Sequence, residues 1–112
     1  MTSIRITKSG LTGYKNMFVS GHSGYADEGK DIVCASISAA TELVIGILEK
    51  FSVDFRLDIR KETACISIEI EQSEYNAQKL DIITNTVGGY ADYIKDVEQT
   101  YPKFLKCIIT EK

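Results

Sequence analysis

The segment DFRLDIRKETACISIEIE, residues 54–71, contains the clearest secondary-structure pattern in the chain. Apolar and polar residues alternate through it with period two, on both sides of a break at residues 61–63. Because successive side chains of a strand point to opposite faces of a sheet, the pattern predicts two β-strands joined by a short turn. Alternation this regular is typical of an antiparallel sheet with one face in water.

Three further strands are predicted nearer the ends of the chain. Ile4 and Ile6 alternate with polar neighbours, and residues 14–20 form a second strand that can pair with the first as a hairpin. A last strand is predicted over residues 103–110, because Pro102 ends the helix that precedes it.

Two helices separate these strands, with apolar residues at helical spacing over residues 32–51 and 80–97. The first helix is apolar on more than one face, so we expect the sheet to cover one side and a second helix or a partner subunit to cover the other. Gly88 and Gly89 would either admit a neighbouring backbone to the second helix or kink it. The order β-β-α-β-β-α-β predicts a single α+β domain over residues 1–112, with both helices on one face of a mixed or antiparallel sheet.

Composition and charge exclude several classes of protein. The 112 residues carry 13 Lys and Arg against 16 Asp and Glu, a net charge of −3, so no direct nucleic-acid partner is expected. The N-terminal residues lack the apolar core of a signal peptide, and no run approaches the roughly 20 apolar residues of a membrane span. Cys34, Cys65 and Cys107 have unrelated spacings, which suit reduced thiols in a cytoplasmic protein. With one histidine they do not form a zinc motif, so no metal or cofactor is expected.

Residues 21–38, GHSGYADEGKDIVCASIS, contain the features that point to chemistry. They place the only histidine, His22, in a glycine-rich loop, and they place Cys34 in the first turn of a helix that Asp31 would cap. Helix-start amides favour a thiolate there and could donate to an oxyanion. The helix terminus contributes only about 0.3–1 kcal/mol to an anion, so a nucleophilic cysteine would also need an imidazolium partner. From spacing alone, His22 can equally be a turn residue and Cys34 a core residue.

The same segment resembles the signature of the ribosomal-processing cysteine proteases called Prp. GH, GYA, a glycine, DIVCA and a following serine stand at family spacing, and the order of elements matches over essentially the whole chain. The resemblance implies a homodimeric cytoplasmic endopeptidase that removes the N-terminal extension of a bacterial large-subunit ribosomal protein, number twenty-seven, after a hydrophobic motif containing Phe. It places the nucleophile on Cys34 and the general base on His22.

Two residues near the candidate pair each have two alternative roles. Asp31 either caps the helix or orients His22 as the third member of a triad. Ser38 shares a helix face with Cys34, where it either hydrogen-bonds near the site or simply packs.

The loop itself is a candidate for binding substrate. Gly21, Gly24 and Gly29 would let it close over a peptide. Tyr25 would then be an apolar wall for an aromatic substrate residue, or else an ordinary surface residue.

The other two cysteines lie outside this segment. Cys65 and Cys107 have no histidine in a comparable motif, and both are expected to be structural.

A second function is also consistent with the sequence. The alternative function is a non-catalytic α+β dimer that binds a ribosomal component or an assembly partner, with the loop as the recognition element.

Overall fold

The computed structural model describes residues 1–9, 13–27, 30–71 and 76–111. The elements in chain order are β1 (Thr2–Ser9), β2 (Gly13–Ser20), α1 (Ile32–Lys50), β3 (Phe55–Arg60), β4 (Cys65–Ile70), α2 (Ala77–Thr100) and β5 (Leu105–Glu111). This order confirms the predicted β-β-α-β-β-α-β arrangement and its α+β class.

The five strands form one mixed sheet in the order β3-β4-β2-β1-β5. Antiparallel pairing joins β1 to β2, β2 to β4 and β4 to β3. The exception is β5, which lies parallel to β1. Of the two sheet types predicted, the mixed one is therefore correct, because the last strand returns to the first in the same direction.

One face of this sheet is buried beneath the helices and the other is exposed. Ile4, Ile6 and Met17 are fully buried, whereas the alternating residues Arg5 and Phe18 are exposed. Each buried side chain of this size contributes about 1.5–3 kcal/mol to folding. The helices complete the core with Val33, Ile37, Val44 and Leu48 of α1 and Ile83, Val87, Tyr90, Ala91 and Ile94 of α2.

The first helix, α1, has a second apolar side that this core does not cover. Leu43 is 65% exposed on it. With 19 residues and a mean hydropathy of 1.8, α1 is long and apolar enough to cross a membrane, so the expectation that no segment would be was wrong. Core helices pass the same test, and α1 buries five residues in the fold, namely Val33, Ile37, Thr41, Val44 and Leu48.

The second helix, α2, runs unbroken through both of its central glycines. A Cβ at Gly88 would lie 3.8 Å from the Tyr14 hydroxyl, an ordinary contact, and a Cβ at Gly89 would meet none of the described atoms within 4 Å. The predicted close approach of a backbone is therefore not seen among the described residues. The two helices are instead linked by a buried hydrogen bond of 3.0 Å between the hydroxyls of Thr41 and Tyr90. Burial raises the pKa of Tyr90 to about 12.

Candidate active site

Asp31 caps α1 and thereby places Cys34 in its first turn. The backbone of Asp31 is extended, with φ −82° and ψ 99°, and its carboxylate accepts a hydrogen bond of 2.9 Å from the Cys34 amide. Cys34 is the third residue of the helix and is half-buried. The predicted cap and the predicted position of the thiol are both confirmed.

The second oxygen of the same carboxylate holds the preceding loop against the helix. The buried hydroxyl of Ser23 donates to Asp31 Oδ2, and the amide of Tyr25 donates to that oxygen over 3.2 Å. Desolvation acts to raise the pKa of Asp31, but hydrogen bonds from the amide of Cys34, the Ser23 hydroxyl and the amides of Ala26 and Tyr25 hold it below its usual value. The described partners of this carboxylate therefore belong to the loop and the cap, and His22 is not among them.

His22 and Cys34 line the same pocket, which has a volume of about 340 Å³. Gly21 and Ser38 line it as well, so four of the predicted site residues are brought together. Gly21 has φ +87°, and a Cβ there would lie 2.7 Å from the carbonyl oxygen of Met1. Only glycine fits this position, which fixes where the loop bearing His22 leaves β2.

The remaining lining of the pocket comes from residues that sequence analysis did not assign to the site. The β3–β4 hairpin contributes Ile59, Arg60, Lys61, Ala64, Cys65 and Ile66, while Thr2, Val19 and Ile37 line the rest. The hydroxyl of Thr2 is buried and has no hydrogen-bond partner among the described residues.

Cys65 reaches the pocket through pairing between distant strands. It lies opposite Ser20 in the β2–β4 register, and the Gly21 amide donates to the Ala64 carbonyl over 3.0 Å. The thiol of Cys65 donates to the Thr63 carbonyl over 3.4 Å. It was expected to be structural, and no local sequence signal placed it in the same pocket as Cys34.

The structure places Tyr25 outside the residues that line this pocket. Its ring packs edge-to-face on Tyr101 at 5.4 Å and on Phe104 at 5.2 Å, an arrangement that aromatic rings favour. Gly24 has φ +74°, a conformation that favours glycine although a Cβ would meet none of the described atoms within 4 Å. Gly29, the third glycine of the predicted substrate-binding loop, lies outside the described residues.

Cys107 has a different environment from the other two thiols. It is buried on β5, where burial raises the pKa of its thiol. Its amide donates to Glu98 over 2.6 Å, and Lys95 donates to its carbonyl oxygen over 2.8 Å. A buried protonated thiol of this kind is unreactive. Within the described ranges, no group of three or more His, Cys, Asp or Glu side chains could hold a metal ion.

The pocket brings together a thiol and an imidazole, two groups that nucleophilic catalysis can use. Cys34 lies at a helix start, where backbone amides favour negative charge, and the imidazole of His22 lines the same space. An imidazole beside a thiol can accept its proton and later return it to a leaving group. This combination, on an α+β scaffold, is that of a cysteine-dependent hydrolase.

The family follows from comparison with known proteins. Residues 1–106 match the family of the cysteine protease Prp, so the chain belongs to that family and is a cysteine protease. This favours the enzyme over the non-catalytic binding dimer that was the alternative prediction. No curated protein sequence matches the chain at a significant level.

Solved structures show the same fold. The essential ribosomal processing protease Prp from S. aureus, in complex with a covalently linked product peptide, is 17% identical with a TM-score of 0.80 over 98% of this chain and 100% of that chain. With a substrate peptide it is 15% identical, again with a TM-score of 0.80 and coverage of 98% and 100%. The protein SMU.848 from Streptococcus mutans is 20% identical with a TM-score of 0.76 over 100% of this chain and 96% of that chain.

Proposed function

We propose that this cysteine protease removes the N-terminal extension of a bacterial large-subunit ribosomal protein, number twenty-seven, and cuts after a hydrophobic motif that contains Phe. The observation that carries the proposal is the pocket that His22 and Cys34 line together at the start of α1. Membership of the Prp family supports the reaction class. The similar S. aureus protein, a ribosomal processing protease solved with bound peptides, supports the class of substrate.

In the proposed reaction, the sulfur of Cys34 attacks the carbonyl carbon of the scissile bond. His22 takes the thiol proton and passes it to the leaving amine, which releases the mature protein. Water then hydrolyses the thioester that joins the extension to Cys34, with His22 as the general base.

The hydrogen bond at the helix cap narrows the choice of oxyanion donors. The amide of Cys34 already donates to Asp31, so it is not free to stabilise the tetrahedral intermediate. The first-turn amides of Ile32 and Val33 precede it in the helix and belong to the set that an α-helix leaves without an internal partner. An oxyanion donor from this helix would therefore be one of the amides that precede Cys34.

Asp31 is proposed to act through position rather than through a bond to His22. One of its oxygens binds the helix start and the other binds the loop at Ser23 and Tyr25. This arrangement fixes the loop that bears His22 relative to Cys34. Ser38, one turn further along α1, is proposed to border the bound peptide, because it lines the same pocket.

We further propose that the protein is a homodimer in the cytoplasm. An apolar groove of about 940 Å³ runs between the outer sides of α1 and α2, lined in part by Ile32, Leu43, Ile47 and Tyr93. Ile32, Leu43 and Tyr93 are exposed in this groove, and a second copy of the chain would remove these apolar side chains from water. The three free cysteines suit a reducing compartment.

The test is cleavage of a synthetic precursor, mapped by intact mass. The peptide carries the extension and the first residues of the mature ribosomal protein. The expected result is a single cut after the Phe-containing motif, absent with Cys34→Ala and retained with Cys65→Ala, which changes the other thiol of the pocket. A precursor that stays intact with the wild-type protein would refute the proposed substrate.

A further inference from the structure

One wall of the active-site pocket is a row of apolar side chains that crosses three neighbouring strands. Ile59 of β3 lies opposite Ile66 of β4, and Ile66 lies opposite Val19 of β2. Residues directly opposite one another in antiparallel strands project from the same face of the sheet. All three line the pocket with His22 and Cys34.

Accessibility changes along this row in a way that suits a binding surface. Val19 is buried and Ile66 is half-buried, but Ile59 is 53% exposed because β3 is an outer strand of the described sheet. Ile37 of α1 is buried and adds an apolar side chain from the helix. The row therefore forms an apolar floor with one open end.

The rim of the pocket is polar where the floor meets solvent. Arg60 and Lys61 follow Ile59 directly, and both are exposed. Arg60 is partly neutralised by Asp58, at 3.3 Å. An apolar floor with a few polar groups at its edge is the usual composition of a site that selects an apolar group.

We propose that Ile59, with Ile66 and Val19, forms the specificity subsite that receives a bulky hydrophobic side chain of the peptide beside the bond that Cys34 attacks. This inference rests on the proposed function and deepens it. It gives the β3–β4 hairpin the role that the sequence suggested for Tyr25, whose ring is instead packed on Tyr101 and Phe104.

A first measurement tests the subsite through the alkylation rate of Cys34, without any peptide cleavage. Iodoacetamide and N-benzyl iodoacetamide carry the same reactive group, but only the second carries an aromatic ring. After normalisation to the rates with glutathione, the benzyl reagent should alkylate Cys34 roughly tenfold faster, because its ring is buried on the apolar floor. Mass mapping separates Cys34 from Cys65, which lines the same pocket.

The variants compare two positions on one face of β3. Ile59→Asp should bring the ratio of the two labelling rates to about one, and Ile59→Ala should lower it a few-fold while keeping an apolar, fold-compatible residue. Leu57→Asp is the matched control, because Leu57 is 38% exposed and lies two residues along the same strand, outside the residues that line the pocket. It should keep the wild-type ratio. A ratio that does not respond to either change at Ile59 would overturn the subsite.

A second measurement keeps the subsite and the proposed function distinguishable. Precursor peptides with Phe or Ala in the cleavage motif are compared by kcat/KM, and Ile59→Asp should reduce the preference for Phe by roughly tenfold. Cleavage with an unchanged preference would refute the subsite and leave the function standing. A labelling ratio that responds to Ile59, with no precursor cut by the wild-type protein, would support the apolar subsite and refute the function.

Discussion

Helix α1 borders two concave surfaces that differ in both size and chemistry. The groove shared with α2 has about 940 Å³ and is lined by apolar, small and neutral polar residues, whereas the pocket at the helix start has about 340 Å³ and contains His22, Cys34 and Cys65. Ile32 and Cys34 are only two positions apart, yet one lines the groove and the other the pocket. Chemistry rather than volume therefore favours the pocket as the candidate active site, and the exposed apolar residues Leu43 and Tyr93 favour the groove as the candidate partner surface.

Removal of the thiol of the pocket should have the largest effect on catalysis. Cys34→Ala should lower kcat for the precursor by more than about 10³-fold, because the thioester intermediate can no longer form. Product formation followed by mass is the measurement. Cys65→Ala, a change in the same pocket, should retain most of the activity, and a Cys34→Ala variant that still cuts would show that the nucleophile lies elsewhere.

The imidazole of the pocket should give the next largest effect. His22→Ala should lower kcat by about 10²–10⁴-fold, since it removes the proton acceptor for the thiol and the donor for the leaving amine. Added imidazole should restore part of the rate, a rescue that a purely structural histidine would not show. Wild-type kcat in His22→Ala would contradict the assignment.

A substitution in the groove should change the dimerisation of the protein rather than its catalytic rate. Leu43→Lys should raise the Kd of the dimer roughly 10- to 100-fold, because an apolar contact worth about 1.5–3 kcal/mol is replaced by a charge. Sedimentation velocity across a concentration series measures the shift. Leu57→Lys is the control, being an exposed leucine outside the groove. Equal sedimentation of wild-type and Leu43→Lys protein would count against this interface.

The smallest effect concerns the residue that links the loop to the helix. Asp31→Ala should lower the free energy of unfolding by roughly 1–2 kcal/mol through loss of the cap, whereas Asp31→Asn keeps an acceptor for the Cys34 amide and should cost less. Urea denaturation of the three proteins at neutral pH gives the comparison. Equal stability of wild-type and Asp31→Ala protein would contradict the capping role.

The stability difference between wild-type protein and the Asp31 variants should depend on pH. Hydrogen bonds hold the folded-state pKa of Asp31 below 3.8, so its charged form contributes stability that is complete above that value. This contribution is lost as the pH falls through the folded-state pKa. The stability difference between wild-type and Asp31→Asn protein should therefore shrink in acid, and a difference that grows below pH 3.8 would show the opposite sign of shift.

Local features of the sequence predict one side of the candidate active site well. An aspartate three residues before a cysteine, at the start of an apolar helical pattern, is enough to place Asp31 as the cap and Cys34 in the first turn. Regular alternation likewise predicts β3 and β4. These predictions succeed because the interactions that determine them span only a few residues.

The other side of the site depends on contacts between distant segments. Cys65 and Ile59 reach the pocket only because β2 pairs with β4 and β4 with β3. Tyr25 lies outside the pocket because its ring packs on Tyr101 and Phe104, which are far along the chain. No pattern within a single segment encodes these partners, so a sequence can indicate the reacting residues without showing what surrounds them.

Competitive alkylation of the three cysteines measures whether Cys34 is an activated thiol. With limiting iodoacetamide at neutral pH, Cys34 should be labelled at least roughly tenfold faster than Cys65 or the buried Cys107, and the advantage should disappear in His22→Ala. Similar labelling rates at the three sites, or a fast Cys34 that is indifferent to His22, would contradict the account of an activated thiol in this pocket.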